Sequence, residues 1–99
     1  MQKSLDEIKN QLQTLKPALK ERFKVETIDI FGSYARNEAS DKSDIDLLIT
    51  YSTNDYDHST VYSLKNYLRR KLGVKVDIVS KEFLNPHIKD EVLKEAVSV

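Results

Sequence analysis

Helical and extended periodicities alternate along the whole chain, and this alternation is the feature that most restricts its fold. β-branched residues concentrate at 25–31, 44–50 and 74–78, and helical spacing of apolar residues fills the segments around them. No repeat, low-complexity tract or Pro/Gly/Ser-rich linker interrupts the 99 residues. The pattern predicts one α/β domain over residues 1–99, in the order αβαβαβα, with a small mixed sheet flanked by helices.

Local signals predict where the helices begin and end. Ser4 opens a capping box at the start of the first helix, and Pro17 falls inside that helix, so we expect a break just before it. Gly73 is suited to a left-handed cap at the end of the next long helix. Asn85 and Pro86 form an N-cap followed by proline at the first helical position, which predicts a last helix running toward the C-terminus.

The composition excludes several classes of function. The absence of cysteine removes disulfides, thiolate nucleophiles and Cys-ligated zinc, and it favours a reducing compartment, the cytoplasm. The 16 acidic and 16 basic residues balance, which argues against holding nucleic acid by bulk charge. No apolar run approaches the roughly 20 residues of a membrane span, and the first ten residues show no signal peptide pattern. We therefore expect no membrane and no nucleic-acid partner. A basic stretch is interpreted as a solvated helix face: Lys65, Arg69, Arg70 and Lys71.

Gly32 and Ser33 end the first strand, and after a spacer of ten residues come Asp44 and Asp46. Glycine lets the backbone approach a ligand closely, and the amides of a following helical turn attract anions, so Gly32-Ser33 is interpreted as a phosphate seat. Residues two apart on a strand point to the same face, with Cα atoms ~6.6 Å apart. Asp44 and Asp46 can therefore converge on a pair of metal ions beside that seat.

Asp77 and Arg36 are further candidates for this site. By strand parity Asp77 faces away from its apolar neighbours, so adjacent strands would bring three carboxylates onto one surface. There Asp77 could complete the metal ligands and help to deprotonate an attacking hydroxyl. The alternative for Asp77 is a solvated strand acid paired with Lys75. Arg36 reaches either a phosphate or an acid of the polar loop 38–44.

Two phrases of the sequence resemble a known signature: Phe31-Gly-Ser-Tyr-Ala-Arg36 and Ser43-Asp-Ile-Asp-Leu-Leu48. The signature is Gly-Ser, a spacer, Asp-x-Asp and a later third Asp. It belongs to the nucleotidyltransferase superfamily of DNA polymerase β, aminoglycoside nucleotidyltransferases and poly(A) polymerases. The resemblance is strongest to the minimal nucleotidyltransferases, single-domain proteins of about this length, and it covers nearly the whole chain. Asn37 departs from the family's usual glycine, but asparagine tolerates the left-handed conformation.

The resemblance implies the nucleotidyltransferase fold and an enzymatic activity. In that family a nucleoside monophosphate passes from a nucleoside triphosphate to an acceptor hydroxyl with Mg²⁺, two ions being expected here, and pyrophosphate is released. Carried over by position, the resemblance implies nucleotide binding at Gly32, Ser33 and Arg36, and catalytic and metal-binding roles for Asp44, Asp46 and Asp77.

The expected acceptor is a protein, because 99 residues leave no room for a domain that holds primer, RNA or sugar. In the resembling family the partner is often a HEPN-domain RNase toxin, which the minimal nucleotidyltransferase neutralises as antitoxin by adenylylating a tyrosine. We therefore expect ATP as donor and a HEPN-domain toxin as acceptor. Two alternatives stay open: a binding module that blocks its partner without catalysis, and a nucleotidyltransferase for a small-molecule or RNA acceptor that borrows its acceptor site from a second subunit in a homo- or hetero-oligomer.

Overall fold

The structure, a computed structural model, describes residues 3–40 and 42–99, and Asp41 of the predicted polar loop lies outside the described residues. Its elements in chain order are α1 (Leu5–Phe23), β1 (Val25–Phe31), β2 (Ile45–Tyr51), α2 (His58–Leu72), β3 (Val76–Ser80), a 3-10 helix (Lys81–Phe83), α3 (Pro86–Glu95) and β4 (Val97–Ser98). The predicted α/β class is confirmed.

The four strands form one mixed sheet in the order β3-β2-β1-β4. β1 runs antiparallel to both β2 and β4, whereas β2 and β3 are parallel. The parallel register places Asp46 directly beside Asp77, and the antiparallel register places Phe31 opposite Asp46. The strand adjacency on which the three-carboxylate prediction depended is therefore present.

The core lies on the face of the sheet that α1 and α2 cover. Ile45, Leu47 and Ile49 alternate along β2 and are fully buried there, and Ile28 and Ile30 of β1 pack beside them. Because strand side chains alternate, Asp46 points to the opposite face and is only half-buried. Burial of one face of β2 thus fixes the direction of its acidic side chain.

The predicted helix caps are confirmed. Ser4 accepts a hydrogen bond from the Glu7 amide in a complete capping box, and Gly73 ends α2 in the left-handed conformation with φ +73°. Asn85 accepts from the His87 amide at the start of α3. Within the described residues, no helix has the length and apolarity required to cross a membrane.

The expected break at Pro17 is wrong. Helix α1 continues through Pro17 because Leu12 and Leu19, both fully buried, hold its two halves on the same core. Packing of the apolar face therefore outweighs the hydrogen bond that proline removes.

Two further parts of the predicted order αβαβαβα need correction. The second helical segment of that order was predicted as a short helical turn over 34–37; hydrogen-bonded turns are present over 32–37, but they do not extend into a helix. The last helix does not continue to the C-terminus: it ends at Glu95, and β4 follows as an edge strand paired with Asp29 and Ile30. A two-residue strand is too short to show a period of its own in the sequence.

Candidate active site

The turn after β1 is built by Gly32 at φ +75° and closed by Asn37 at φ +61°. The Arg36 amide donates to the Gly32 carbonyl over 3.1 Å, and the Glu38 amide donates to the Ser33 carbonyl over 2.8 Å. Tyr34 is 3% exposed and packs into the core, which anchors the turn. The predicted tolerance of Asn37 for a left-handed conformation is confirmed.

Gly32 lies directly against the carboxylate of Asp46. A Cβ atom added at residue 32 would overlap Asp46 Oδ2, and the positive φ of Gly32 independently disfavours any other residue there. The antiparallel register explains this approach, because Phe31, the residue before Gly32, pairs with Asp46. The predicted phosphate seat and the predicted acidic strand therefore meet at this contact.

The three predicted acids act on one another electrostatically. Asp44 immediately precedes β2, Asp46 lies in β2, and Asp77 is the register partner of Asp46 in β3. Partial burial raises the pKa of Asp46 above its usual value, and the negative charges of Asp77 and Asp44 raise it further. Three carboxylates thus concentrate negative charge where β2 and β3 begin.

The donor set suits a hard divalent cation, since Mg²⁺ prefers carboxylate oxygens and would offset the repulsion felt at Asp46. Over residues 3–40 and 42–99, however, no three His, Cys, Asp or Glu side chains are grouped closely enough to hold a metal ion. Asp77 Oδ1 instead lies 3.6 Å from Lys65 Nζ. Asp44, Asp46 and Asp77 therefore suit a cation by charge and by donor type. In this conformation Asp77 is turned toward Lys65.

Lys65 was not expected as a partner of Asp77. The sequence placed Lys65 on a solvated helix face and offered Lys75 as the alternative partner of Asp77. Lys65 is exposed as expected, but α2 packs on β3 and brings its ammonium group to Asp77. The contact joins residues twelve positions apart in different elements, so no local sequence pattern marks it.

Arg36 pairs with two glutamates. Its Nε lies 3.0 Å from Glu38 Oε2, and its Nη1 donates to Glu95 Oε1 and Oε2 over 3.2 and 3.3 Å. Hydrogen bonds from Arg36 to Glu38 and then Glu95 raise the pKa of the guanidinium. The contact with Glu38 matches one of the two alternatives for Arg36, pairing with an acid of the loop 38–44. Glu95 also accepts from the Gly32 amide over 3.2 Å, a role that the sequence did not reveal.

A cavity borders Asp44 at the start of the acidic strand. A space of about 510 Å³ is lined by Lys42, Ser43, Asp44, Gly73, Val74 and Lys75. A larger space of about 830 Å³ lies around Tyr56, His58 and Phe83 and is lined by none of the predicted site residues. We place the candidate site at Asp44 and Asp46 because the charge, the register and the glycine turn coincide there.

A family model described as Polymerase beta, Nucleotidyltransferase matches residues 13–99, which includes every candidate residue of this site. The chain belongs to this nucleotidyltransferase family. The nucleotidyltransferase is 46% identical to a protein of Methanocaldococcus jannaschii named provisionally as a protein adenylyltransferase, over 98% of this chain and 99% of that relative. It is 40% identical to the protein adenylyltransferase MntA of Thermococcus cleftensis, over 97% of this chain and 96% of that relative.

Solved structures carry the same fold. The nucleotidyltransferase superposes with a TM-score of 0.82, at 33% identity, on a structure described provisionally as a minimal nucleotidyltransferase, covering 98% of this chain and 97% of the other. A chain of the solved complex of tri-AMPylated Shewanella oneidensis HEPN toxin with MNT antitoxin gives a TM-score of 0.63 at 21% identity, with 90% and 67% covered. That second likeness is one of fold. The predicted minimal nucleotidyltransferase fold is therefore confirmed.

Proposed function

We propose that this nucleotidyltransferase transfers AMP from ATP to a tyrosine hydroxyl of a HEPN-domain partner protein and thereby acts as the antitoxin of an RNase toxin. The observation that carries the proposal is the meeting of the Gly32 turn with Asp46, which has Asp77 beside it in register. A phosphate seat in contact with paired carboxylates is the arrangement that nucleotidyl transfer requires, because the reaction depends on positioning and charge neutralisation.

In this proposal the steps fall to one backbone turn and four side chains, of which Asp77 takes the proton. The Gly32-Ser33 turn and Arg36 bind the triphosphate, while Asp44 and Asp46 present the oxygen ligands for Mg²⁺. Mg²⁺, when bound, supplies charge neutralisation at the triphosphate and lowers the pKa of the attacking hydroxyl. The tyrosine oxygen forms a bond to the α-phosphorus, and the bond from the α-phosphorus to the β-phosphate oxygen breaks to release pyrophosphate.

Asp77 is the residue that we assign to the proton of the attacking hydroxyl. Its side chain is 52% exposed, so an acceptor that arrives from solvent can reach it, and it lies beside Asp46 in the adjacent strand. A carboxylate in that position can accept the hydroxyl proton as the bond to phosphorus forms. Lys65 must release Asp77, and an exposed ion pair at 3.6 Å costs little to break.

The protein acceptor is supported by the relatives. MntA of Thermococcus cleftensis is named a protein adenylyltransferase, and the Shewanella oneidensis complex contains an AMPylated HEPN toxin together with MNT antitoxin. The chain covers almost the full length of MntA, so the two are comparable as wholes. A HEPN-domain protein is therefore the acceptor class to test first.

The test combines the chain with a HEPN-domain protein from the same organism, ATP and Mg²⁺, followed by intact-mass and peptide mass spectrometry of the HEPN-domain protein. We expect the mass of one or more AMP groups on tyrosine and loss of the partner's RNase activity. A stable complex that silences the RNase without any mass increase would contradict the proposal and favour the non-catalytic binding module. AMP found only on RNA or a small molecule would favour the third alternative.

A further inference from the structure

Glu95 occupies the position at which an anion would meet the Gly32 turn. Its Oε1 accepts from the Gly32 amide over 3.2 Å and from Arg36 Nη1 over 3.2 Å, and its Oε2 accepts from the same Arg36 nitrogen over 3.3 Å. One backbone amide and one guanidinium converging on a carboxylate form an anion site. In this structure an acid from the far end of the chain fills that site.

We propose that Glu95 is a built-in competitor of the nucleotide, which holds the phosphate seat closed until a triphosphate displaces it. The proposal rests on the proposed function insofar as that function assigns Gly32 and Arg36 to triphosphate binding. A triphosphate and Glu95 need the same Gly32 N–H and the same Arg36 nitrogen, so the two cannot be bound there together. The nucleotide therefore binds more weakly than it would if Glu95 did not occupy the Gly32 amide and Arg36.

The contact is weak enough to be displaced. Its hydrogen bonds, at 3.2 and 3.3 Å, are at the long end of the usual range, and the side chains of Arg36 and Glu95 are 46% and 29% exposed. Solvent screens an ion pair that is exposed to this degree, so the pair is weak. When Glu95 leaves, Glu38 still holds Arg36 Nε over 3.0 Å, so the guanidinium stays at the turn and its Nη1 becomes available to phosphate.

The location of Glu95 also argues against a role in stabilising its own helix. It is the last residue of α3, where the helix dipole disfavours a carboxylate. None of the ten residues of α3 is buried, and the strand that follows, β4, has only two residues. The segment that carries Glu95 is thus lightly packed and can withdraw the side chain without opening the core.

Binding of tripolyphosphate and of ATP, each with Mg²⁺, measured by calorimetry on the full chain, tests this competition. Glu95→Gln keeps the size of the side chain and removes its charge, so we expect both ligands to bind about two- to fivefold more tightly than to the unmodified chain. Glu91→Gln removes a charge one turn earlier on α3 and should change the affinity less than Glu95→Gln does. Glu38→Gln removes the other partner of Arg36 but not the Gly32 contact, and should also give a smaller gain.

If Glu95 instead positions Arg36 for phosphate, Glu95→Gln should bind both ligands more weakly than the unmodified chain. Unchanged or weaker binding by Glu95→Gln would overturn the proposal, as would an equal gain in Glu91→Gln. If Glu95→Gln does not fold, Glu95→Asp, which shortens the reach to Gly32, must bind tripolyphosphate more tightly. A gain in tripolyphosphate affinity without AMP transfer would overturn the proposed function alone, whereas transfer without that gain would overturn the competition alone.

Discussion

The carboxylate of Asp46 fills the space in which a Cβ atom of residue 32 would lie, so only Gly32 fits there while Asp46 keeps its position. Two separate parts of the sequence, the Gly-Ser turn and the Asp-x-Asp strand, are thereby held in one rigid arrangement. The pairing of Phe31 with Asp46 in the antiparallel ladder produces this contact. A change at Gly32 should therefore act on Asp46 as well as on the turn.

Gly32→Ala should abolish nucleotidyl transfer, because its methyl group displaces the Asp46 carboxylate. The positive φ adds a stability cost of about 1–2 kcal/mol. Gly73→Ala is the matched control: Gly73 has φ +73°, but a Cβ there meets nothing within 4 Å. We expect it to lose similar stability and to keep its transfer rate. Denaturant unfolding and transfer assays on both variants check this, and equal loss of transfer in both would show that the Asp46 contact is not the cause.

Asp44→Asn and Asp46→Asn should each abolish AMP transfer while leaving the fold intact, because each removes an anionic oxygen ligand for Mg²⁺. Asp55→Asn, an exposed acid in the loop before α2, is the control and should transfer at the normal rate. Transfer assays with circular dichroism of each variant are the measurement. Full activity in Asp44→Asn or Asp46→Asn would end the metal-ligand assignment for that residue.

Asp46→Asn should also stabilise the metal-free protein at neutral pH. Because the pKa of Asp46 is raised on folding, chiefly by burial and then by Asp77 and Asp44, its charged form is disfavoured in the native state. The cost is absent well below the ordinary aspartate pKa of 3.8, develops between that pH and the raised pKa, and is constant above the raised pKa. In EDTA at pH 7, the free energy of unfolding of Asp46→Asn should exceed that of the unmodified chain by up to about 1 kcal/mol, because solvent screens the charge of a half-exposed carboxylate. The difference should vanish near pH 3. A gain that persists at pH 3 would refute this origin.

Tyr51→Phe should stabilise the protein by up to about 1 kcal/mol. Among the described residues no hydrogen bond of normal geometry satisfies the buried Tyr51 Oη. Burial and then Tyr56 raise the pKa of Tyr51 to about 12, and a weaker contact with the Ser80 side chain only partly opposes them. Tyr56→Phe is the paired control, because the Tyr56 hydroxyl donates to Glu82 and its loss should cost stability instead. Thermal unfolding of the two variants should therefore shift in opposite directions, and a shared direction would contradict the account of Tyr51.

The acidic strand could be predicted because its information is local. Ile45, Leu47 and Ile49 alternate with the acids, so parity alone fixed which way Asp46 points, and the same rule placed Asp77. Gly32 and Asn37 are residue types that tolerate positive φ, so the turn could be predicted as well. These parts of the site depend on the period of a strand and on backbone preferences.

The features that could not be predicted from the sequence depend on contacts between distant segments. Glu95 reaches Arg36 across 59 positions because β4 pairs with the edge of β1, and a two-residue strand leaves no periodic signal. Lys65 meets Asp77 through the packing of α2 on β3. The continuity of α1 through Pro17 likewise depends on burial of Leu12 and Leu19 in the finished core, which local rules for proline do not include.

The most direct measurement follows the two ends of ATP. The chain and a HEPN-domain protein, the proposed partner, are incubated with Mg²⁺ and ATP labelled either at the α-phosphate or at the γ-phosphate. We predict that the α label becomes attached to the partner protein, that the γ label leaves in pyrophosphate, and that Asp46→Asn transfers neither. Two results would contradict the assignment of this site to protein adenylylation. One is a partner that carries the γ label, and the other is a partner that carries no label after incubation with the unmodified chain.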